Sequence, residues 1–467
     1  MAYPSIPGDD GHVTGQREKG SMLVLWINRL IFAVYHILRR DHILNFIRKQ
    51  KKAAALSEKE VNELSRKKLE ALLREALLHV PFYRDLAGEH LEEWLKNPDL
   101  QKFPLMDKQT IRANYEALQH DHIQQMKAIK SSTSGSTGES FFFMLSKDAQ
   151  IRSDATFFRT YQYLKSSPLE AQATLWGARF DNKPAKGLKG IFKSIFKPFY
   201  FFSSYDLTDG KMAEMARILK DKKVKVLTSY SSPLEHFAGY VKKNHLSFPD
   251  LRGIICSSEQ LFPHQRELFE QVFACPVFNR YGSREFGCIA HECEKHDGMH
   301  IEADRVWVEI LDENLKPCKP GQIGELYLTN LDNYAMPLIR YRIGDMASWS
   351  DHKCSCGVHF PLLGSLEGRS FDLVRDSAGH VVSGTFWTLL TRFVSEEIQS
   401  FQVRQDELEK VDLLLVKAEP LTGEQEALLR QKVAETLPDL QVNIIYVDHI
   451  PLTKSGKRRF IISTLGK

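Results

Sequence analysis

A dense run of hydrogen-bonding groups, Ser131-Ser132-Thr133-Ser134-Gly135-Ser136-Thr137-Gly138-Glu139-Ser140, holds five serines, two threonines and two glycines in ten residues. It follows Ile129-Lys130 and leads into the apolar Phe141-Phe142-Phe143. Glycines let a backbone approach a ligand and take positive φ, while hydroxyl and N–H groups bond phosphate oxygens. The stretch is therefore a candidate cradle for a polyphosphate. It is no Walker A loop, because its glycines stand three apart and no lysine follows the second. Read alone, a flexible Ser/Gly connector explains the composition equally well.

Four further stretches carry groups suited to charge-handling chemistry. They are Tyr281-Gly282-Ser283-Arg284-Glu285-Phe286-Gly287, Arg340-Tyr341-Arg342-Ile343-Gly344-Asp345, Gly368-Arg369-Ser370-Phe371-Asp372 and Pro451-Leu452-Thr453-Lys454-Ser455-Gly456-Lys457. Singly, each reads as an ordinary turn or strand end. A second kind of cluster gathers Cys288, His291, Cys293, His296 and His300 within thirteen residues, followed by His352, Cys354-Ser355-Cys356 and His359. Zinc in structural sites takes four Cys or His ligands in a closed tetrahedron. Uncommitted thiols and surface histidines are the alternative reading. His291-Glu292 is not a zincin motif, since the next histidine stands five residues on. Cys256, Cys275 and Cys318 read as core or incidental residues.

The elements that must position these groups follow from length and pattern. A chain of 467 residues implies two or three domains. Sixty-three basic and 59 acidic residues nearly balance, which excludes nucleic-acid binding by bulk charge. Seven cysteines suit thiols or a metal site in a reducing compartment better than a disulfide scaffold. Residues 1–20 are polar and lack a hydrophobic signal segment. Residues 22–38, MLVLWINRLIFAVYHIL, fall short of the ~20 apolar residues of a membrane span. Closed by Arg39-Arg40, they read as an interfacial amphipathic helix or as one packed on the protein's own body. Leu64, Leu69, Leu72, Leu73 and Leu77 predict a helix over 57–79, which Pro81 breaks. Asp107 is placed to cap another helix.

From the serine-rich run to about residue 360, strands at 224–227, 253–256 and 276–279 alternate with helices such as 210–220 and 263–273. That alternation predicts an α/β layered domain with mostly parallel strands, ligands sitting at their carboxyl ends. Strands at 401–404, 410–417 and 442–447 and a helix over 424–437 predict a small α+β domain beginning near residue 369.

All five stretches, in this order and at these separations, resemble the core motifs of adenylate-forming enzymes. The resemblance is to the phenylacetate–CoA ligase branch with its CapK-like capsule-biosynthesis proteins, and it runs from about residue 66 to the C-terminus. It implies a large adenylation domain over 57–368, a mobile lid domain over 369–467 and an extension over 1–56. The implied activity joins a carboxylic acid to AMP with ATP and Mg²⁺, then transfers the acyl group to the thiol of CoA. Catalysis of this kind is largely positioning plus neutralisation of developing charge.

By this resemblance, residues 133–138 hold the β- and γ-phosphates. Tyr281, with Gly282 and Ser283, lies against the adenine, and Glu285 binds Mg²⁺, which favours oxygen ligands. Asp345 accepts hydrogen bonds from the ribose hydroxyls beside Arg369, and Ser258 and Glu259 line the adenine pocket. Lys457 reaches in from the small domain to bridge the carboxylate and the α-phosphate. Zinc on Cys293, His300, Cys354 and Cys356 is similar to what some members of the branch carry.

Three departures stand out. The phosphate stretch lacks the lysine of many relatives, Arg284 replaces the usual Thr, and Phe371 replaces the hinge Asp, with Asp372 one place later. Transfer to an amine or sugar in polysaccharide assembly, or a non-catalytic nucleotide- or zinc-binding scaffold, are the alternatives. Trp176, Phe180, Phe201, Phe202 and Tyr230 are candidates to line an aromatic-acid pocket or to fill the core. The expected location is cytoplasmic, with peripheral contact at an inner membrane surface.

Overall fold

The computed structural model describes residues 30–34, 37, 42–134, 140–177, 199–204, 207–369, 374–378, 380–382, 384–395, 397–451 and 459–465. Its strands, in chain order, begin with β1 Ile129–Ser134, β2 Ser140–Leu145, β3 Gln172–Trp176, β4 Phe199–Ser203, β5 Val226–Ser229 and β6 Gly253–Ser257. Next come β7 Val277–Ser283, β8 Gly287–His291, β9 Met299–Ile301, β10 Val306–Leu311, β11 Gly324–Asn330, β12 Tyr341–Trp349 and β13 Leu362–Arg369. β14 Val374–Arg375, β15 Val381–Val382, β16 Ser400–Glu407, β17 Lys410–Val416, β18 Gln441–Tyr446 and β19 Ile461–Ser463 complete the set.

Among the described residues, eleven strands form one sheet in the order β10-β11-β12-β13-β9-β8-β7-β6-β5-β3-β4. β4, β3, β5, β6 and β7 run parallel to their neighbours. From β7 to β8 onward every pairing is antiparallel. The expectation of a mostly parallel sheet is thus corrected to a half-parallel one. Parallel neighbours need a long crossover, which the helices Asp209–Asp221, Ser231–Lys243 and Pro263–Phe273 supply between β4 and β7. Beyond β7 the strands follow one another without crossover helices, so they fold back. β5 and β6 are buried along their whole length, as strands covered on both faces must be. The predicted strands at 224–227 and 276–279 lie two and one residues further on.

The serine-rich run is a hairpin root. β1 and β2 pair antiparallel in the register Ser131↔Phe143 to Ser134↔Ser140. Local capping chemistry shapes the helices before it. Ser57 and Glu60 form a capping box that opens the helix Glu58–His79. Val80, at φ −115°, ends it, and Pro81 starts the next helix at a position where its missing N–H costs nothing. Asp107 accepts from the Thr110 N–H at 2.7 Å, as predicted.

A separate core runs from Val374 and Trp387 to Leu429, Val433 and Ile461. It lies under a four-stranded sheet in the order β18-β17-β16-β19. At the other end of the chain, the helix Ile43–Ala53 packs Ile43 and Phe46 against Ile151 and Ala155 of the helix Lys147–Tyr163.

Candidate active site and Cys/His centre

β7 is where the sheet changes direction, and the first motif straddles that change. Tyr281 to Ser283 end β7, Arg284 to Phe286 form the turn, and Gly287 opens β8. The turn is tight enough to demand its glycines. A Cβ on Gly282 would run into the Gly287 carbonyl oxygen, and Gly287, at φ 70°, lies against the Ser153 hydroxyl.

The Tyr281 hydroxyl donates to Asp345 Oδ2 at 2.5 Å, joining the first motif to the second. Asp345 stands on β12 opposite Arg369 of β13, just after Gly344, whose φ of 87° suits glycine. Glu285 is buried between two partners. Asn330 Nδ2 donates to its carbonyl oxygen at 3.0 Å, and the Tyr341 hydroxyl reaches Oε1 at 3.4 Å. Asn330 Oδ1 in turn accepts from the Asp332 N–H at 3.1 Å.

Asp332 is the hub of a buried charge network. It accepts from Arg305 Nε at 2.9 Å, Arg152 Nη1 at 3.0 Å and Lys68 Nζ at 3.2 Å. Burial pushes its carboxyl pKa up, but Lys68, Arg305 and Arg152 outweigh that and hold it below the usual carboxylate range. Arg159, Glu302 and Asp304 continue the network. Charges buried in this way hold only as complete sets, because removing one strands its partners.

At the end of β6, Ser258 takes φ 67°, a costly conformation for a serine. Glu259, beside it, accepts from Ser232 N–H at 2.8 Å and Ser232 Oγ at 3.1 Å, fixing the start of the helix Ser231–Lys243. Trp176, ending β3, lies 4.0 Å from the Tyr230 ring centroid to centroid. Phe460 of the small module meets Phe262 edge-on, with centroids 5.4 Å apart, and Phe401 at 5.3 Å.

The second centre lies beyond β8. The ligand atoms of Cys293, His300, Cys354 and Cys356 all fall within 4.8 Å of one another. Cys293 Sγ is 3.5 Å from Cys354 Sγ, too far for a disulfide, and Cys356 Sγ is 3.3 Å from His300 Nε2. The Lys295 and Val358 N–H groups donate to Cys293 and Cys356 sulfur, each at 3.4 Å. Pairing of β9 with β13, His300 opposite Leu362, brings the two loops together. Burial pushes the Cys293 and Cys356 thiols up and His300 down, so the thiols resist ionising without a cation beside them, while the imidazole is held in the neutral form that ligates a metal. Three sulfurs and one imidazole nitrogen at this spacing fit a tetrahedral zinc ion.

Comparison with known proteins follows this geometry. The CapK C-terminal domain family matches residues 373–464. The phenylacetate–coenzyme A ligase of Thermus thermophilus is 23% identical over 449 residues, spanning 86% of this chain and 98% of that protein. Protein CapK of Staphylococcus aureus is 23% identical over 387 residues, spanning 79% and 81% of the two chains. The crystal structure of a 2-hydroxyisobutyryl-CoA ligase in the postadenylation state in complex with 2-HIB-AMP superposes with a TM-score of 0.71. It is 17% identical and covers 88% of this chain and 91% of its own.

In sequence and in fold the chain is similar to adenylate-forming proteins of the phenylacetate–CoA ligase and CapK branch. The motif residues of an adenylate-forming protein are thus partly gathered here. Tyr281, Gly282, Ser283, Glu285 and Asp345 share one corner, while Ser258 and Glu259 end the neighbouring strand. Thr133, Ser134 and Arg369 are placed by their backbones alone. Gly135, Ser136, Thr137, Gly138, Lys457, Phe371, Asp372 and Phe180 lie outside the described residues. Sequence reasoning missed Asn330, Tyr341 and the Asp332 network. Tyr341 was within a quoted motif, but a strand residue shows no sign of which carboxylate it will meet. The interleaved Glu302-Ala303-Asp304-Arg305 was the available signal for the network.

Proposed function

We propose that this adenylate-forming protein is an AMP-forming acid–thiol ligase. A carboxylate oxygen attacks the α-phosphorus of ATP, pyrophosphate leaves, and the thiol of CoA then displaces AMP from the acyl carbon to give a thioester. The corner where Tyr281 holds Asp345 beside the buried Glu285 carries this reading. Tyr281 would flank the adenine, Asp345 would take the ribose hydroxyls, and Ser258 and Glu259 would wall the base from β6. Residues Thr133, Ser134, Gly135, Ser136, Thr137 and Gly138 would cradle the outer phosphates, with Arg369 near the ribose. Glu285 would hold Mg²⁺, whose charge neutralises phosphate oxygens as pyrophosphate departs. Lys457 would bring a point charge to the carboxylate and α-phosphate from a domain over 369–467 that moves against the one over 57–368. The phenylacetate–coenzyme A ligase of Thermus thermophilus supports a thiol acceptor, and the paired Trp176 and Tyr230 favour an acid with a flat apolar group.

The CapK match of the C-terminal region favours a second acceptor, an amine or sugar hydroxyl. Supplying an accepted acid with ATP and CoA, and following thioester and AMP together, tests the acceptor. Thioester forming in step with AMP supports the ligase. AMP released only when an amine or sugar is added supports the other transfer.

Zinc on the Cys/His quartet would tie the loops around Cys293 and Cys354 without taking part in the chemistry. Among the described residues, no helix is long and apolar enough to cross a membrane. Leu30, Val34 and Ile37 are 65%, 47% and 65% exposed at helical spacing, and Arg48, Lys49, Lys51 and Lys52 are exposed on the next helix. That pairing of apolar and basic faces supports a cytoplasmic protein that rests on anionic lipid headgroups.

A further inference from the structure

We infer that Gln50, on the N-terminal helix Ile43–Ala53, is a positioning residue for the turn that carries Glu285 and acts through Thr156 and Arg305. The inference deepens the reading of Glu285 as the Mg²⁺ ligand and rests on it only for the effect on catalysis. The helix precedes the part of the chain that resembles adenylate-forming enzymes, so that resemblance assigns it no role. Its buried residues are Ile43, Phe46, Gln50 and Ala53, three apolar side chains and one amide. Gln50 is 5% exposed, and an amide buried there costs stability unless it is bonded.

The bonds lead inward. Gln50 Nε2 donates to the Arg152 carbonyl oxygen at 3.1 Å and to Thr156 Oγ1 at 2.9 Å, both on the helix Lys147–Tyr163. Thr156, fully buried, also accepts from Arg305 Nη1 at 3.1 Å and donates to the Arg152 carbonyl oxygen at 3.1 Å. A hydroxyl has one donor and two acceptor sites, so Thr156 is saturated and cannot favour one partner without releasing another. Arg305 then reaches the turn by two routes. Its Nη2 donates to the Phe286 carbonyl oxygen at 3.5 Å. Its Nε bonds Asp332, whose N–H bonds Asn330, which donates to the Glu285 carbonyl oxygen. Ser153, on the same helix as Thr156, lies against Gly287 at the far side of the turn. The helix Lys147–Tyr163 is therefore packed between the N-terminal helix and the turn, and one threonine hydroxyl takes a donor from each side.

The rival explanation is a local strap, in which Gln50 fastens one helix to the other and nothing more. Amide hydrogen exchange separates the two without any ligand. It is followed on the full chain and on Gln50→Leu, Thr156→Val, Thr156→Ser and the double variant with Gln50→Leu and Thr156→Val. Valine keeps the shape of Thr156 and loses the hydroxyl, whereas serine keeps the hydroxyl. Residues 226–229 and 253–257, the buried strands β5 and β6, are the control for general loosening.

Amides of residues 282–287 should exchange about fivefold faster in Gln50→Leu and about tenfold or more in Thr156→Val. They should return close to the unaltered rate in Thr156→Ser, and be no faster in the double variant than in Thr156→Val alone. The control strands should not change. The Mg²⁺ concentration for half-maximal pyrophosphate exchange should rise in the same order of variants. Faster hydrogen exchange confined to 43–53 and 147–163, with 282–287 unchanged, would overturn the inference in favour of the strap. Turn and control strands loosening together would do the same. A loosened turn with an unchanged Mg²⁺ requirement would overturn the bearing on Glu285. Absence of pyrophosphate exchange by the unaltered chain would overturn the metal reading itself, while a turn loosened by Gln50→Leu would still support the positioning.

Discussion

The proposed nucleotide corner and the Cys/His quartet are both assembled from segments far apart in sequence, yet they are held in opposite ways. At the corner, protein groups satisfy one another. Tyr281 bonds Asp345, Asn330 and Tyr341 bond Glu285, and three basic side chains converge on Asp332. Groups paired in this way are held in place before any ligand arrives, as the proposed electrostatic catalysis would require. At the quartet the ligand atoms face one another across 3.3 to 3.5 Å. Burial there opposes the charged thiolates, so the proposed metal ion would supply what the fold withholds. One region is held together by its own side chains; the other is proposed to depend on an ion for its shape.

Substitutions can break or sharpen this contrast. The largest effect is expected from Lys457→Ala, which would remove the charge proposed to reach the carboxylate and α-phosphate. Acid-dependent exchange of pyrophosphate into ATP should fall by about a thousandfold, with melting temperature unchanged. Exchange at the unaltered rate would remove Lys457 from the mechanism.

At the quartet the readouts reverse. Protein purified without a histidine tag or added metal should contain about one zinc per chain. Cys354→Ser should lose the zinc and lower the melting temperature by about 5 °C or more, because ligand binding is also folding free energy. Cys318→Ser, a buried thiol outside the quartet, should lower it by under about 2 °C. Equal losses from the two substitutions, or a zinc content near zero, would erase the contrast.

Asn330→Ala offers a subtler probe of preorganisation. It frees the Glu285 carbonyl while leaving the carboxylate in place. The Mg²⁺ concentration for half-maximal exchange should rise about fivefold, roughly one neutral hydrogen bond's worth, while half-saturation by the acid stays put. A fall in rate at every Mg²⁺ level, with no shift in the metal requirement, would mean that Asn330 serves only the fold.

The smallest catalytic effect belongs to the N-terminal extension. Deleting residues 1–40 should leave exchange within about twofold, since surface changes away from a site are near neutral, yet abolish sedimentation with anionic vesicles. Equal sedimentation of both forms would reject a membrane contact.

How legible each region was from sequence follows the same contrast. The quartet could be read because cysteine and histidine announce their chemistry by type, and the resemblance to the branch then narrows the choice. The corner's motif residues were readable as a set of five stretches in order. What holds them was not. Asn330, Tyr341 and Arg305 act through partners 45, 56 and 27 residues away, and no local pattern encodes such pairs. Lys68 reads as an outward lysine on an amphipathic helix, yet it reaches Asp332 across 264 residues. Strand direction failed for a related reason. Short apolar runs reveal strands, whereas the crossover lengths between them decide parallel from antiparallel, and those shorten after β7. Caps were the easiest to foresee, as at Asp107, because donor and acceptor lie three residues apart.

The central claim is that the corner activates a carboxylic acid with ATP, and isotope exchange tests it most directly. The full-length protein is incubated with ATP, Mg²⁺ and labelled pyrophosphate, with members of a panel of aromatic, aliphatic and sugar acids supplied one at a time. Label should enter ATP only when an accepted acid is present, and exchange should vanish when Mg²⁺ is chelated. ATP bound by the protein with no exchange for any acid would contradict the account and mark the chain as a nucleotide-binding scaffold.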